Sequence, residues 1–300
     1  EHDPSESCKF GNLYLSADGR HWQKKRTIPH AIHTYCLSSY KGKLFAGLGT
    51  TKGHSSIAVS KDLGSSWDVS IFDQAGRIYS FIIVADNLYA FGTLLSPRKL
   101  ATFKKKSYFP SPVYEYTVNN MFVSRQDIRA RQLFPDTTFD SQSACKIVRS
   151  RKFGNKSLYI GSYLHNDHQS MPFGLYVAES LAKNLLSIKK VPLDKNALPW
   201  DTYLSGEYVY VLLNKSLVGG KVEVSVLRST DLENWTELFY FSSPSLVRSF
   251  ALLQDNFYFG VGSEINDPNN WHQNELSTKT GKIYKLNFRY IIKGQQLKAL

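Results

Sequence analysis

The sequence predicts an all-β protein, a β-propeller of four-stranded antiparallel blades, on three observations. Five segments share one strand–turn–strand plan, the plan recurs about every 45 to 50 residues apart from one longer interval, and no stretch has the period of an amphipathic helix. The 300 residues, 42% hydrophobic and 14% aromatic, suffice for a large core, and a single domain over residues 1–300 is expected.

The five segments are HTYCLSSYKGKLFAGLGT, RIYSFIIVADNLYAFGT, CKIVRSRKFGNKSLYIGS, WDTYLSGEYVYVLL and RSFALLQDNFYFGVGS. In each, an apolar strand reaches a turn of Gly, Asn, Asp or Ser, residues that tolerate the backbone angles of tight hairpins, and a second strand returns. The second strands begin near Leu44, Leu88, Leu158, Tyr208 and Phe257. A third and fourth strand follow around another kind of corner, seen in SSIAVSKDLGSSWDVSIF, NLYLSADGRHWQKK and VSVLRSTDLENWTELFYF, with eroded copies in MFVSRQDIRARQLF and LYVAESLAKNLLSIKKV. Five blades are favoured, with the N-terminal strands closing the ring. GKIYKLNF, residues 281–288, reads as an extra third strand, so six blades are the alternative.

The corner residues Ser60, Asp62, Gly64 and Trp67 follow the pattern S-x-D-x-G-x-x-W, and Ser16, Asp18 and Trp22, like Ser229, Asp231 and Trp235, follow it one residue shorter. In this the chain resembles the Asp-box, or BNR-repeat, β-propellers of the sialidase-like superfamily. The resemblance implies that these residues are structural. Ser and Asp hydrogen-bond their own turn, Gly supplies the unusual backbone angle, and Trp packs between sheets. It also implies that function lies on the opposite face, where the second-to-third connections and inter-blade links run.

On that face, first strands begin at His33, Tyr35, Arg77, Tyr79, Trp200, Asp201 and Arg248, and the long loop near residue 270 adds Trp271 and His272. Arginine grips a carboxylate by bidentate hydrogen bonds, and tryptophan stacks on a pyranose ring. These residues are the candidate ligand site, and Asp201 is the candidate catalytic acid or base. A sialidase-like site would need an arginine triad, for which Arg77 and Arg248, with Arg26 nearby, are the candidates, while Glu115 lies in an insertion. An arabinanase-like site would need three inward carboxylates, for which Asp201, Asp140 and Glu264 are the candidates. No complete catalytic set can be assigned from either, so binding is preferred to catalysis, with a glycoside hydrolase or lyase and a protein-interaction scaffold as the competing classes.

Two further loops carry chemistry. His165, Asp167 and His168 offer nitrogen and oxygen donors to a metal, although their spacing is no recognised metal signature, and no cofactor is called for. Residues 93–119 read as a basic, aromatic loop insertion within the second blade, with Lys104, Lys105 and Lys106 among Phe103, Tyr108, Phe109, Tyr114 and Tyr116.

The net charge of +12 suits an anionic partner, a glycan above all, with a protein partner left open and nucleic acid disfavoured. Cys8, Cys36 and Cys145 are an odd number and so make no disulfide framework. No apolar run reaches the length of a membrane span, so a soluble protein is expected; the polar opening EHDPSESC is no signal peptide, which suits a mature secreted or periplasmic product, the favoured reading, and equally a trimmed cytoplasmic one.

Overall fold

The structure is a computed structural model that describes residues 10–29, 31–50, 54–95, 113–125, 127–128, 130–137, 144–163, 171–181, 185–218, 221–254, 256–262 and 281–287. Its contacts group into two compact units, Glu1–Ser150 and Arg151–Leu300. Both are built of antiparallel sheet.

In the first unit, β1 (Phe10–Leu15) and β2 (Gln23–Pro29) make a two-stranded sheet of their own. Then β3 (Ala31–Tyr40), β4 (Lys43–Thr50), β5 (His54–Ser60) and β6 (Asp68–Ala75) pair in chain order as a four-stranded sheet. A second four-stranded sheet takes β7 (Ser80–Val84), β8 (Asn87–Phe91), β10 (Val113–Tyr116) and β11 (Phe122–Ser124). The two-residue β9 (Leu94–Leu95) pairs with the start of β12 (Ala144–Phe153), the strand in which the two units divide. One helical turn, α1 (Ala130–Leu133), interrupts the β pattern.

The second unit continues with β13 (Lys156–Tyr163), β14 (Pro172–Leu181) and β15 (Leu185–Lys190). A four-stranded sheet of β16 (Ala197–Ser205), β17 (Tyr208–Ser216), β18 (Val222–Ser229) and β19 (Thr236–Ser243) follows, and then three strands, β20 (Val247–Leu253), β21 (Asn256–Val261) and β22 (Ile283–Asn287).

All five second strands begin within two residues of their expected positions. Two expectations change. Val113–Tyr116, read as loop insertion, is a strand, and it is the third of its sheet, so Glu115 lies on a sheet; Phe122–Ser124 is then the fourth strand, and the segment after it turns helical. The corner between them is closed by Thr117 and Asn120, whose amides reach Met121 O at 2.8 Å and Thr117 O at 3.0 Å. Asn120 adopts φ 60° there, so an asparagine supplies the left-handed residue that the Ser-Asp corners take from glycine or leucine. Residues 96–112 of the insertion lie outside the described residues. The second change concerns the ends of the chain: β22 is the third strand of the last sheet, while β1 and β2 pair with each other.

Alternation decides which faces are buried. In β4, Leu44, Ala46 and Leu48 face a core that takes Leu13 and Ile28 from the ribbon and Trp67 from the corner, whereas Phe45 faces Phe81, Leu88 and Tyr114 of the next sheet. The β3–β6 sheet is therefore covered on both sides. In the second unit Tyr210, Leu212, Val224 and Val226 face Phe250, Phe257 and Phe259, whose rings stack 6.0–6.3 Å apart.

The three Ser-Asp corners share one hydrogen-bond scheme. Ser60 Oγ accepts from the Gly64 amide at 2.8 Å, and Asp62 Oδ1 accepts from the Ser66 amide at 2.9 Å. Ser16 Oγ accepts from Gly19 at 2.8 Å and Ser229 Oγ from Leu232 at 2.9 Å. The residue after the aspartate is left-handed in all three, Gly19 (φ 72°) in the first corner, Leu63 (φ 57°) in the second and Leu232 (φ 65°) in the third; the longer second corner adds a second left-handed residue, Gly64 (φ 88°). Trp67 and Trp22 both donate their indole N–H to the glycine carbonyl at 3.2 Å, but their burial differs. Trp67 is 8% exposed and Trp22 61%. Trp22 ends the corner of a sheet that has two strands among the described residues.

Removing Trp67 should therefore cost far more than removing Trp22. We expect Trp67→Ala to destabilise by about 3–5 kcal/mol and Trp22→Ala by no more than about 0.5 kcal/mol, read from urea unfolding. The corner carboxylates also set an acid limit. Donors from Ser66, its hydroxyl first, hold Asp62 at about 2. Amides of His21 and Asn234 lower Asp18 and Asp231 in the same direction. A carboxyl lower in the folded state than its ordinary ~3.9 adds stability above that value and loses it as the pH falls toward 2. Thermal unfolding between pH 5 and 2 should accordingly fall less steeply in Asp62→Asn than in the parent protein; equal slopes would remove the corner from this account.

Candidate functional site

The candidate residues gather where first strands break register. In β3 the pairing steps from Thr34↔Leu48 to Cys36↔Gly47, so Tyr35 is an extra residue, a β-bulge. Trp200 is the extra residue between Pro199↔Leu213 and Asp201↔Leu212, and Arg248 the one between Val247↔Val261 and Ser249↔Gly260. A bulge re-aims the side chain it carries. Space for two of these side chains comes from glycine, Gly49 on β4 and Gly262 just past the end of β21. A Cβ on Gly49 would lie 2.8 Å from Tyr35 Cε2, and one on Gly262 would collide with the Arg248 stem.

In the first unit the bulge assembles a cluster. The Tyr35 ring lies 5.5 Å from His33 and 4.8 Å from Tyr79, centroid to centroid. The Arg77 guanidinium sits over Tyr35 at 5.7 Å, and Lys146 Nζ over Tyr79 at 5.3 Å. Backbone bonds fix the segment that carries Arg77 and Tyr79, since Ile78 N–H donates to Leu48 O at 3.3 Å and Tyr79 N–H to Phe91 O at 2.9 Å. Burial pushes the Tyr35 phenol up, with the Arg77 charge acting against that shift. Arg77 itself is exposed. The attraction of a cation to a ring face is electrostatic and consumes no N–H donor of the guanidinium.

In the second unit Arg248 lies over the buried Trp200 ring at 5.4 Å. Side chains of neighbouring strands hold this bulge on both sides. Asn214 accepts from Val247 N–H at 2.9 Å and donates to Val247 O at 2.8 Å, while Asp201 Oδ2 accepts from Phe250 N–H at 3.2 Å and Oδ1 from Thr202 N–H at 2.9 Å. Asp201 is 7% exposed. Its carboxylate thus joins β16 to β20.

The structure brings together His33, Tyr35, Arg77 and Tyr79, and separately Trp200, Asp201 and Arg248. Trp271 and His272, the trio His165, Asp167 and His168, and Asp140 and Glu264 lie outside the described residues, as do Cys8 and the Arg26 side chain. Glu115 pairs with Arg125, which also binds Asp127 at 2.8 Å. Lys146 is the residue that sequence reasoning missed. Its signal was its place at the start of a first strand, as for Arg248. Among the described residues, no group of three or more His, Cys, Asp or Glu is arranged to hold a metal ion, and no helix is long and apolar enough to cross a membrane.

No family model matches the chain, and no curated protein does. Among solved structures, it is similar to Trypanosoma rangeli sialidase in complex with the inhibitor DANA, at 11% identity and a TM-score of 0.46, over 86% of this chain and 48% of that one. A PL25 ulvan lyase bound to its saccharide matches at 11% identity and 0.40, over 82% and 69%, and a luciferin-regenerating enzyme at 12% and 0.46, over 90% and 81%. The chain spans about half the length of the sialidase.

Gly49 tests the bulge directly. We expect Gly49→Ala to cost about 1–3 kcal/mol by overpacking against Tyr35. The near-ultraviolet tyrosine signal should change with it, and an unaltered spectrum at full stability would contradict the packing. The thiols offer a second check. Cys36 Sγ is enclosed between Gly47 and Ile78, and burial pushes it up to about 12, and Cys145 in the same direction. Iodoacetamide at pH 8 should leave both unmodified until the protein unfolds.

Proposed function

We propose that the protein binds an acidic glycan and that Tyr35, Tyr79, Arg77 and His33 form the binding surface. The observation that carries this reading is the Arg77 guanidinium seated on Tyr35 beside a second tyrosine ring 4.8 Å away. Sugar rings pack their C–H faces on aromatic side chains, and a carboxylate or sulfate takes paired N–H donors from arginine. A bulge holds these groups in place before the ligand arrives, which limits the ordering entropy lost on binding. Trp200 and Arg248 repeat the pairing in the second unit. The net charge of +12 favours encounter with an anion.

Binding is preferred to hydrolysis because the Asp201 carboxylate accepts two backbone amides, from Thr202 and Phe250, and so serves as a tie between strands. The same reading takes the three Ser-Asp corners as Asp boxes. It takes the six sheets found among the described residues as propeller blades, which fits the six-bladed alternative.

Glycan-array binding followed by titration calorimetry tests the proposal. Arg77→Gln and Tyr35→Ala should each weaken binding of an acidic glycan by about 10- to 100-fold, the scale of one charged hydrogen-bond pair, with unfolding temperatures close to the parent's for Arg77→Gln. Affinity should also fall with added salt. Binding that survives both substitutions, or a preference for neutral glycans, would refute it.

A further inference from the structure

We infer that the cluster in the first unit takes a glycan segment bearing at least two acid groups, and that Lys146 is the residue that sets this preference. The inference rests on the acidic-glycan reading and adds the number of charges the ligand must carry. Two cations serve the cluster, and each is seated on a different ring: Arg77 on Tyr35 and Lys146 on Tyr79. They come from different strands, Arg77 from the segment entering β7 and Lys146 from β12. The two rings are tilted by 56° at a centroid separation of 4.8 Å, so the two cations sit on adjacent but separate rings.

One carboxylate on a terminal sugar can satisfy one of these positions. Two positions on neighbouring rings match a chain that repeats its acid group along successive sugars, in which each charge meets its own cation. Their chemistry differs as well. Arg77 offers a planar fork for a carboxylate or sulfate, whereas Lys146 is a point charge that accepts either without fixing its orientation. Arg77 therefore anchors one acid group, and Lys146 reads whether a second follows.

The test is calorimetry on the full chain with galacturonic acid, its di- and trisaccharide, and a matched series carrying sulfate esters in place of carboxylates. The parent protein should bind the trisaccharide at least about tenfold more tightly than the monosaccharide in one of the two series, and that series names the acid group. In Lys146→Gln the trisaccharide should fall to within about threefold of the monosaccharide measured on the same variant, and Lys146→Arg should restore the difference. The threefold margin covers the extra binding registers of a longer chain. An undiminished preference in Lys146→Gln would overturn this inference while leaving the acidic-glycan reading intact. Loss of neither series in Arg77→Gln, or no binding of either by the parent protein, would overturn that reading and this inference with it.

Discussion

The site depends on one backbone irregularity: an extra residue in the first strand of a sheet, accommodated by glycine in or just past the second. At Tyr35 and Arg248 the bulged side chain lies where a Cβ on Gly49 or Gly262 would stand. A regular ladder would send alternate residues into the inter-sheet cores, as it does for Phe45 and Phe250. The bulge takes one residue out of that alternation and places it beside a cation, and the glycine supplies the room. The neighbouring glycines have the same role toward smaller groups, since a Cβ on Gly47 would meet Cys36 Sγ and one on Gly260 would meet Ser249 Oγ, each at 2.6 Å. The motifs GLG at 47–49 and GVG at 260–262 thus accompany the bulges at Tyr35 and Arg248, whereas β17, opposite the Trp200 bulge, has no glycine.

The rest of each unit keeps this irregularity from relaxing. Ile78 hydrogen-bonds Leu48 and so ties the Arg77 segment to β4, and Asn214 and Asp201 bind the backbone of β20 on either side of Arg248. At the other end of the sheet, the Ser-Asp corner joins the third and fourth strands, and its tryptophan closes the core beneath Leu13 and Leu44. Within the β3–β6 sheet the corner and the first hairpin turn share one end, while His33 stands toward the opposite end. The structural and the candidate binding residues are therefore separated by the length of the strands.

Much of this was legible from residue order. Hairpin turns such as ADN and QDN located the strand pairs, because few residues tolerate the angles required there, and the positions of Arg77, Tyr79, Trp200 and Arg248 at the starts of first strands marked the groups that come together. The bulges were not legible, since a one-residue slip leaves the composition of a strand unchanged. Lys146 escaped notice because CKIVRS is rich in cations and carries no aromatic residue of its own; the ring it needs belongs to another strand. The third strand at Val113–Tyr116 was hidden by a long basic approach that reads as loop, and Trp22 matched its motif yet stands exposed where Trp67 is buried. Local pattern specifies corners and strands, whereas burial and cation–aromatic pairing depend on which strand comes to lie alongside.

The central claim is that an acidic glycan binds at the bulged first strands and away from the Ser-Asp corners. Hydroxyl-radical footprinting with and without a saturating acidic oligosaccharide tests it most directly, because Tyr14, Trp22 and Tyr240, each more than half exposed, report on regions outside the cluster. The account predicts protection of Tyr35 and Tyr79, with Tyr14, Trp22 and Tyr240 unchanged. Protection of Trp22 or Tyr240 with Tyr35 and Tyr79 unaltered would contradict it.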